Sequence, residues 1–302
     1  MNKSWPTILL KTAKAWNTDN AFKHSAAVSF YTLFSLAPIS IIVVSVAGFF
    51  LGKEEAGHQF AKQIEALVGP ASAELVLKAA EASQSHRDSW IATTLGVLLL
   101  LVGATTVFAQ LQDSLNDIWN VRAKPSKSGW VVLLLHRLIS FAMVLTVGFL
   151  LLVSLILTTF LTSALGRFGG TFVDSKIILQ GADLLGGLVV ITTLFALIFR
   201  IMPDVKLGWR EVWLGAGLTA VLFTAGRYLI AFYLSHSTVA SIYGTAGSLV
   251  ALLVWIYYSC AILFFGVEFV RMYREAHQFK LVPKSTAVAV REEIVSDSSA
   301  RT

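Results

Sequence analysis

Apolar residues gather into six runs, near residues 29 to 51, 91 to 112, 130 to 161, 177 to 201, 212 to 234 and 247 to 270, divided by shorter polar stretches. Each run reaches the roughly 20 residues that cross about 30 Å of hydrocarbon at about 1.5 Å rise per residue. Lipid offers the backbone no hydrogen-bond partners, so apolar runs of this length predict helices. The expected fold is all-α: a polytopic integral membrane protein with six transmembrane helices over residues 29–270, an amphipathic lead-in over 1–28 and a tail over 271–302.

The polar stretches set the orientation. Of the 24 Lys and Arg, sixteen fall on the amino-terminal side of the runs, six on the opposite side, and two, Arg137 and Arg227, inside runs. Positively charged loops resist translocation, which predicts both termini in the cytoplasm. In the lead-in, Trp5, Ile8, Leu9, Thr12 and Trp16 recur at helical spacing while Lys11 and Lys14 take the other face. That pattern fits equally a helix lying in the headgroup plane and a simple entry into the first span. Lys11 and Lys14 also interrupt any signal-peptide core, so the stretch is expected to be retained. The long outer loop, residues 52–89, carries Phe60, Ile64 and Leu67 on one helical face, a Gly69-Pro70 break and a second helical stretch from Ser72. Two short amphipathic helices capping the outer mouth are expected there. Beyond about Lys280 no period is sustained, which predicts a disordered tail.

Composition narrows the function. Hydrophobic residues make up 56% of the 302 and charged residues 14%, with a mean hydropathy of +0.71, outside the range of soluble domains. The net charge of +6 is spread along helix ends, where anionic headgroups attract it; membrane lipids are therefore the expected contacts and nucleic acid is not. Cys260 has no partner for a disulfide and reads as a small core residue. The six histidines, His24, His58, His86, His136, His236 and His277, are scattered singly, so no metal or other cofactor is expected. With no Walker loop and no nucleophile elbow, neither ATP-driven work nor enzymatic catalysis is expected.

Ionisable groups inside the runs are the candidate functional residues, because a charge at mid-span costs roughly 2.5–3.5 kcal/mol. Arg227 in the fifth run and Asp183 in the antiparallel fourth lie at similar depth from the outer side, about 10 Å by helical rise, and are expected to pair. Arg137 and Glu268 match in the same way near the cytoplasmic side. Such pairs form either a polar path with a headgroup pocket or internal braces of the bundle. Candidate helix breaks are Pro38 in the first run and the stretch containing Tyr243, Gly244 and Gly247, which is either a re-entrant segment or an external turn. Gly186-Gly187 and Gly215-Ala216-Gly217 read as small-residue helix contacts, which permit a homo-oligomer without requiring one.

Several stretches also carry a family resemblance. Ala26-Ala27-Val28-Ser29-Phe30-Tyr31 with Leu33 to Pro38, then Gln112 with Leu115-Asn116-Asp117-Ile118-Trp119, then Pro203, Trp209, Gly215-Ala216, Tyr243-Gly244, Gly247, Leu253, Trp255, Tyr257 and Gly266-Val267-Glu268, run in the expected order. Together they resemble the YihY/BrkB family of bacterial inner-membrane proteins, formerly named ribonuclease BN, with Val267 where that pattern has a small residue. The resemblance implies a six-span, inner-membrane protein of undefined biochemical role, and the scattered histidines oppose the nuclease name. The favoured expectation is a transporter or flippase-like protein for a lipid or other small amphiphile, not driven by ATP; the alternative is an envelope structural or assembly partner. If Arg227 and Asp183 pair, Arg227→Gln lowers the thermal unfolding midpoint in detergent by the equivalent of about 1–3 kcal/mol; an unchanged midpoint together with unchanged activity dismisses the pair.

Overall fold

The computed structural model describes residues 4–52, 90–124, 175–236 and 247–290, with isolated positions between them; the side chains of 42–51, 90–101, 175–184 and 231–236 lie outside that description. The elements are α1 (Trp5–Thr18), α2 (Ala21–Leu51), α3 (Trp90–Ile118), β1 (Val121–Ala123), α4 (Ser175–Ile201), α5 (Trp209–His236), α6 (Gly247–Ala276) and β2 (Ala287–Ala289). The third apolar run and the outer loop 52–89 fall outside the described residues, so the six-span count and the expected lid are expectations only.

Helix α2 packs on α3 and α6, α5 on α4 and α6, and α1 on α6. The segments Trp209–Ile230 and Leu249–Ala276 are long and apolar enough to cross a membrane by length and composition. Hydroxyls in these apolar helices bond back to their own turns. Thr32 donates to the Val28 carbonyl at 2.7 Å, Thr219 to Gly215 at 2.7 Å and Ser259 to Trp255 at 2.8 Å, which satisfies them where water is absent. Phe30, Phe34, Leu185, Val189, Tyr228 and Leu229 stay exposed, as side chains facing lipid tails do. Trp5, Trp209 and Trp213 are exposed at one end of the bundle, where indole rings suit the headgroup boundary.

The α5–α6 seam depends on missing side chains. A Cβ at Gly266 would collide with Thr219 and crowd Phe199, one at Gly215 would meet Val270, and one at Gly226 would meet Tyr258. For Gly215 this is the expected close approach. Gly186, Gly187 and Gly217 have nothing within 4 Å of a Cβ among the described residues, so their contact role is an expectation only. Across the α2–α3 seam a Cβ at Gly103 would come within 2.8 Å of Pro38 Cγ, and Ser35 Oγ donates to the Gly103 carbonyl at 2.6 Å. Pro38 is thus not a break. α2 runs through it unbroken, and the ring fills the notch that Gly103 leaves. Gly247 is the first residue of α6, whereas Tyr243 and Gly244 lie outside the described residues.

One further expectation is corrected, that of the disordered tail, and the lead-in gains a contact. The lead-in helix is separate from α2. α1 ends at Thr18, and its apolar face covers α6: Ile8 and Thr12 are buried, Trp5 stacks on Phe269 at 6.2 Å, and Trp16 Nε1 donates to the Ala261 carbonyl at 3.0 Å. The tail is ordered through Val290. β2 pairs antiparallel with β1 in the register Val121↔Ala289, Arg122↔Val288, Ala123↔Ala287, and Pro283 bridges to Val205. Strands of three residues are too short to show a period, and this ribbon amends the all-α expectation.

Gly266→Ala should lower the unfolding midpoint by the equivalent of about 1–3 kcal/mol, measured by thermal denaturation in detergent. Gly217→Ala, with nothing within 4 Å of its Cβ among the described residues, should leave the midpoint unchanged or raise it.

Candidate functional site

The polar chemistry gathers at the end of the bundle where α1 meets α2, α3 runs into β1, and α6 ends. The break between α1 and α2 is made by Asn20, whose φ of 54° is left-handed, a region that asparagine tolerates better than most residues. The break aims the Asp19 carboxylate at α6, where it pairs with Arg271. The same Arg271 Nη1 donates to Glu268 Oε2 at 3.4 Å, one turn back along α6. Glu268 is fully buried, and its Oε1 has no hydrogen-bond partner among the described residues. One guanidinium therefore serves two carboxylates, one of them sealed from solvent.

Two more ties hold this base together. Asn116 Nδ2 donates to Asp204 Oδ2 at 3.0 Å while the Asp204 backbone N–H donates to Asn116 Oδ1 at 2.8 Å. This reciprocal pair locks the end of α3 to the turn between α4 and α5, with both residues buried. Arg274 pairs with Glu211 at the start of α5 and donates to the Lys280 carbonyl at 2.8 Å. The tail is tied on by Lys284 N–H to the Asp204 carbonyl at 2.8 Å and Val290 N–H to the Asn120 carbonyl at 2.8 Å.

Between these ties a polar cavity of about 320 Å³ opens, with Lys23, His24, Asp117, Asn120 and Arg122 among the residues on its wall. Burial pushes the His24 imidazole below its ordinary value; Asp117 opposes that, Lys23 adds to it and Asp19 opposes it. His24 is therefore neutral at pH 7 and presents a donor and an acceptor rather than a charge.

The residues expected from sequence divide as follows. Glu268 lies in the base, but its guanidinium partner there is Arg271; Arg137 lies outside the described residues. Arg227 is half-buried on α5, its guanidinium 5.2 Å over the Tyr228 ring and 3.4 Å from the Tyr228 hydroxyl. Asp183 is on α4 with its side chain outside the described residues, so their pairing is an expectation only. Arg200 stacks at 5.3 Å over Trp209. Asp19, Arg271, Asn116 and Asp204 were not among the candidates. The available signals were the three-residue spacing of Glu268 and Arg271, and an acidic residue at the end of an amphipathic helix. Among the described residues no group of His, Cys, Asp and Glu is placed to hold a metal.

A family model described as Virulence factor BrkB matches residues 12–289. UPF0761 membrane proteins of Pseudomonas paraeruginosa, Alkalilimnicola ehrlichii and Nitrosospira multiformis are 28%, 28% and 29% identical to this chain. The matches cover 84%, 86% and 82% of this chain, and 59%, 56% and 56% of those proteins. The chain thus spans less than two thirds of the length of these curated relatives. No solved structure matches it.

A histidine with a depressed folded-state value binds fewer protons folded than unfolded between that value and about 6.5. Its contribution to stability is therefore lost as pH falls below about 6.5. The unfolding midpoint should drop on acidification through that window, and His24→Gln should flatten the drop when midpoints are compared across pH.

Proposed function

The chain belongs to the Virulence factor BrkB family of membrane proteins, and on that premise we propose that it is a transporter or flippase-like protein, not driven by ATP, for a lipid or other small amphiphile. In this reading it is a multi-pass protein of a bacterial inner membrane with both termini cytoplasmic, so that the base described above faces the cytoplasm. The observation that supports the reading is Glu268, a wholly buried carboxylate in an apolar helix with one oxygen unpartnered among the described residues.

A bundle held only for stability gains little from such a group, since burying a charge costs as much as pairing returns. Ionisable residues retained in membrane helices line paths or carry protons. Glu268 also sits within reach of the side chain that links it to Asp19, a residue on the cavity wall. Protonation of this carboxylate, or its exchange of Arg271 for another cation, would alter the contact between α1 and α6 without dismantling the bundle. The alternative, an envelope structural or assembly partner, draws support from the density of ties in the base. In that case Glu268 and Arg271 are braces, and no amphiphile moves.

The test uses vesicles reconstituted with the full chain and a fluorescent phospholipid in both leaflets, with a membrane-impermeant quencher added outside. The expected result is faster loss of inner-leaflet fluorescence than in protein-free vesicles, and at least about a tenfold slowing in Glu268→Gln, or about 1.4 kcal/mol in barrier. Equal rates with and without protein sink the flippase reading for that lipid class. A Glu268→Gln variant as fast as the wild type removes its supporting residue.

A further inference from the structure

The cavity at the base holds cations that no carboxylate claims among the described residues. Asp19 pairs with Arg271, which Glu268 shares. Among the described residues Lys23 and Arg122 make no ion pair, although both line the same space. Asp117 faces His24, and His24 is neutral at pH 7. Lys23 and Arg122 thus stand as two cations without an ion pair among the described residues, beside the carboxylate of Asp117.

The backbone of the wall is fixed, although Lys23 and Arg122 are themselves exposed. Arg122 is the central residue of β1, its backbone fixed by pairing with Val288 of β2. Asn120, at φ 52°, turns the chain from α3 into that strand. Lys23 sits in the first turn of α2, its N–H bonded to the Asn20 carbonyl at 2.9 Å. Both cations therefore rise from backbone held by hydrogen bonds, so only their side chains need ordering around an anion. The amides of Asn20 and Asn120, also on the wall, can donate to further oxygens. A planar guanidinium forks onto two oxygens of one anion, an ammonium binds a third, and a neutral imidazole N–H can donate to the same group.

We infer that this cavity is a binding site for a phosphate-bearing anion, with Arg122 as the forked contact, Lys23 as the point charge and His24 as a hydrogen-bond donor. The phosphate is carried either by a lipid headgroup or by a free phosphomonoester. Its place where α1 meets α2 and α3 runs into β1 allows both sources. The site does not depend on the transport reading: a protein that flips no lipid can still bind phosphate here, and the two are measured separately.

The experiment is calorimetric titration of the full chain in a neutral detergent with three probes: inorganic phosphate, glycerol 3-phosphate and a short-chain phosphatidic acid, each against chloride at equal ionic strength. Arg122→Gln and Lys23→Gln are compared with Lys206→Gln, an exposed lysine off the cavity wall. The expected result is saturable binding of at least one phosphate probe over chloride, weakened about tenfold or more by each cavity variant and unchanged in Lys206→Gln. Binding of all three probes alike assigns a free phosphomonoester; binding of the phosphatidic acid alone assigns a headgroup. Arg122→Lys keeps the charge but loses the fork, so it should retain weaker binding if Arg122→Gln does not fold. The inference is overturned if no probe binds above chloride, or if the cavity variants, with unchanged unfolding midpoints, bind as the wild type does.

Discussion

A single guanidinium organises the base of this protein. Arg271 reaches Asp19 across the α1–α2 break and Glu268 along its own helix, joining the entry of the chain to the exit of its last long helix. The arrangement follows from burial. Glu268 has no access to water, and a carboxylate in such surroundings needs a countercharge, which Arg271, partly exposed near the end of the helix, supplies. Asp19 supplies the second half of that balance from the end of a helix whose apolar face already packs on α6. Once α1 is held there, Ile8 and the ring of Trp5 cover the outer face of α6, and the cavity acquires one of its walls.

Away from the base, the bundle is held by close approach more than by polarity. Lipid tails are as apolar as leucine, so burying another leucine between helices brings little; what holds helices together is contact, and contact needs small residues. Gly215, Gly226 and Gly266 admit Val270, Tyr258 and Thr219 respectively, and the rings of Phe195, Phe223 and Trp255 meet edge to face at 5.7 and 5.8 Å in the same region. The result is a well-packed α5–α6 pair to which the base adds the polar ties that set register.

Much of this was legible in the sequence because hydrophobicity is periodic and abundant. The runs that became α2 to α6, the buried role of Cys260 and the close contact at Gly215 follow from apolar length and small side chains. The base was less legible for physical reasons. Arg271 and Asp19 are 252 residues apart in the chain, and Asn116 and Asp204 are 88 apart; no local pattern couples such positions. Depth-matching led to Arg137 as the partner of Glu268, a pairing that lies outside the described residues; among those described, Arg271 one turn away on the same helix pairs with Glu268. Pro38 reads as a break in isolation, since a proline removes a backbone bond, yet opposite Gly103 its ring becomes a packing surface. The ordered tail gave no signal because its order comes from pairing with a strand of three residues and from carbonyls exposed at the end of α3.

The most direct measurement is a double-mutant cycle on the unfolding free energy in detergent with Asp19→Asn, Arg271→Gln and the joint variant. If the shared guanidinium is what joins the two ends of the chain, each single change is destabilising and the joint variant loses less than the sum, with a coupling of about 1 kcal/mol or more. Additive losses would mean that Asp19 and Arg271 act independently, and that α1 is held to α6 by its apolar face alone.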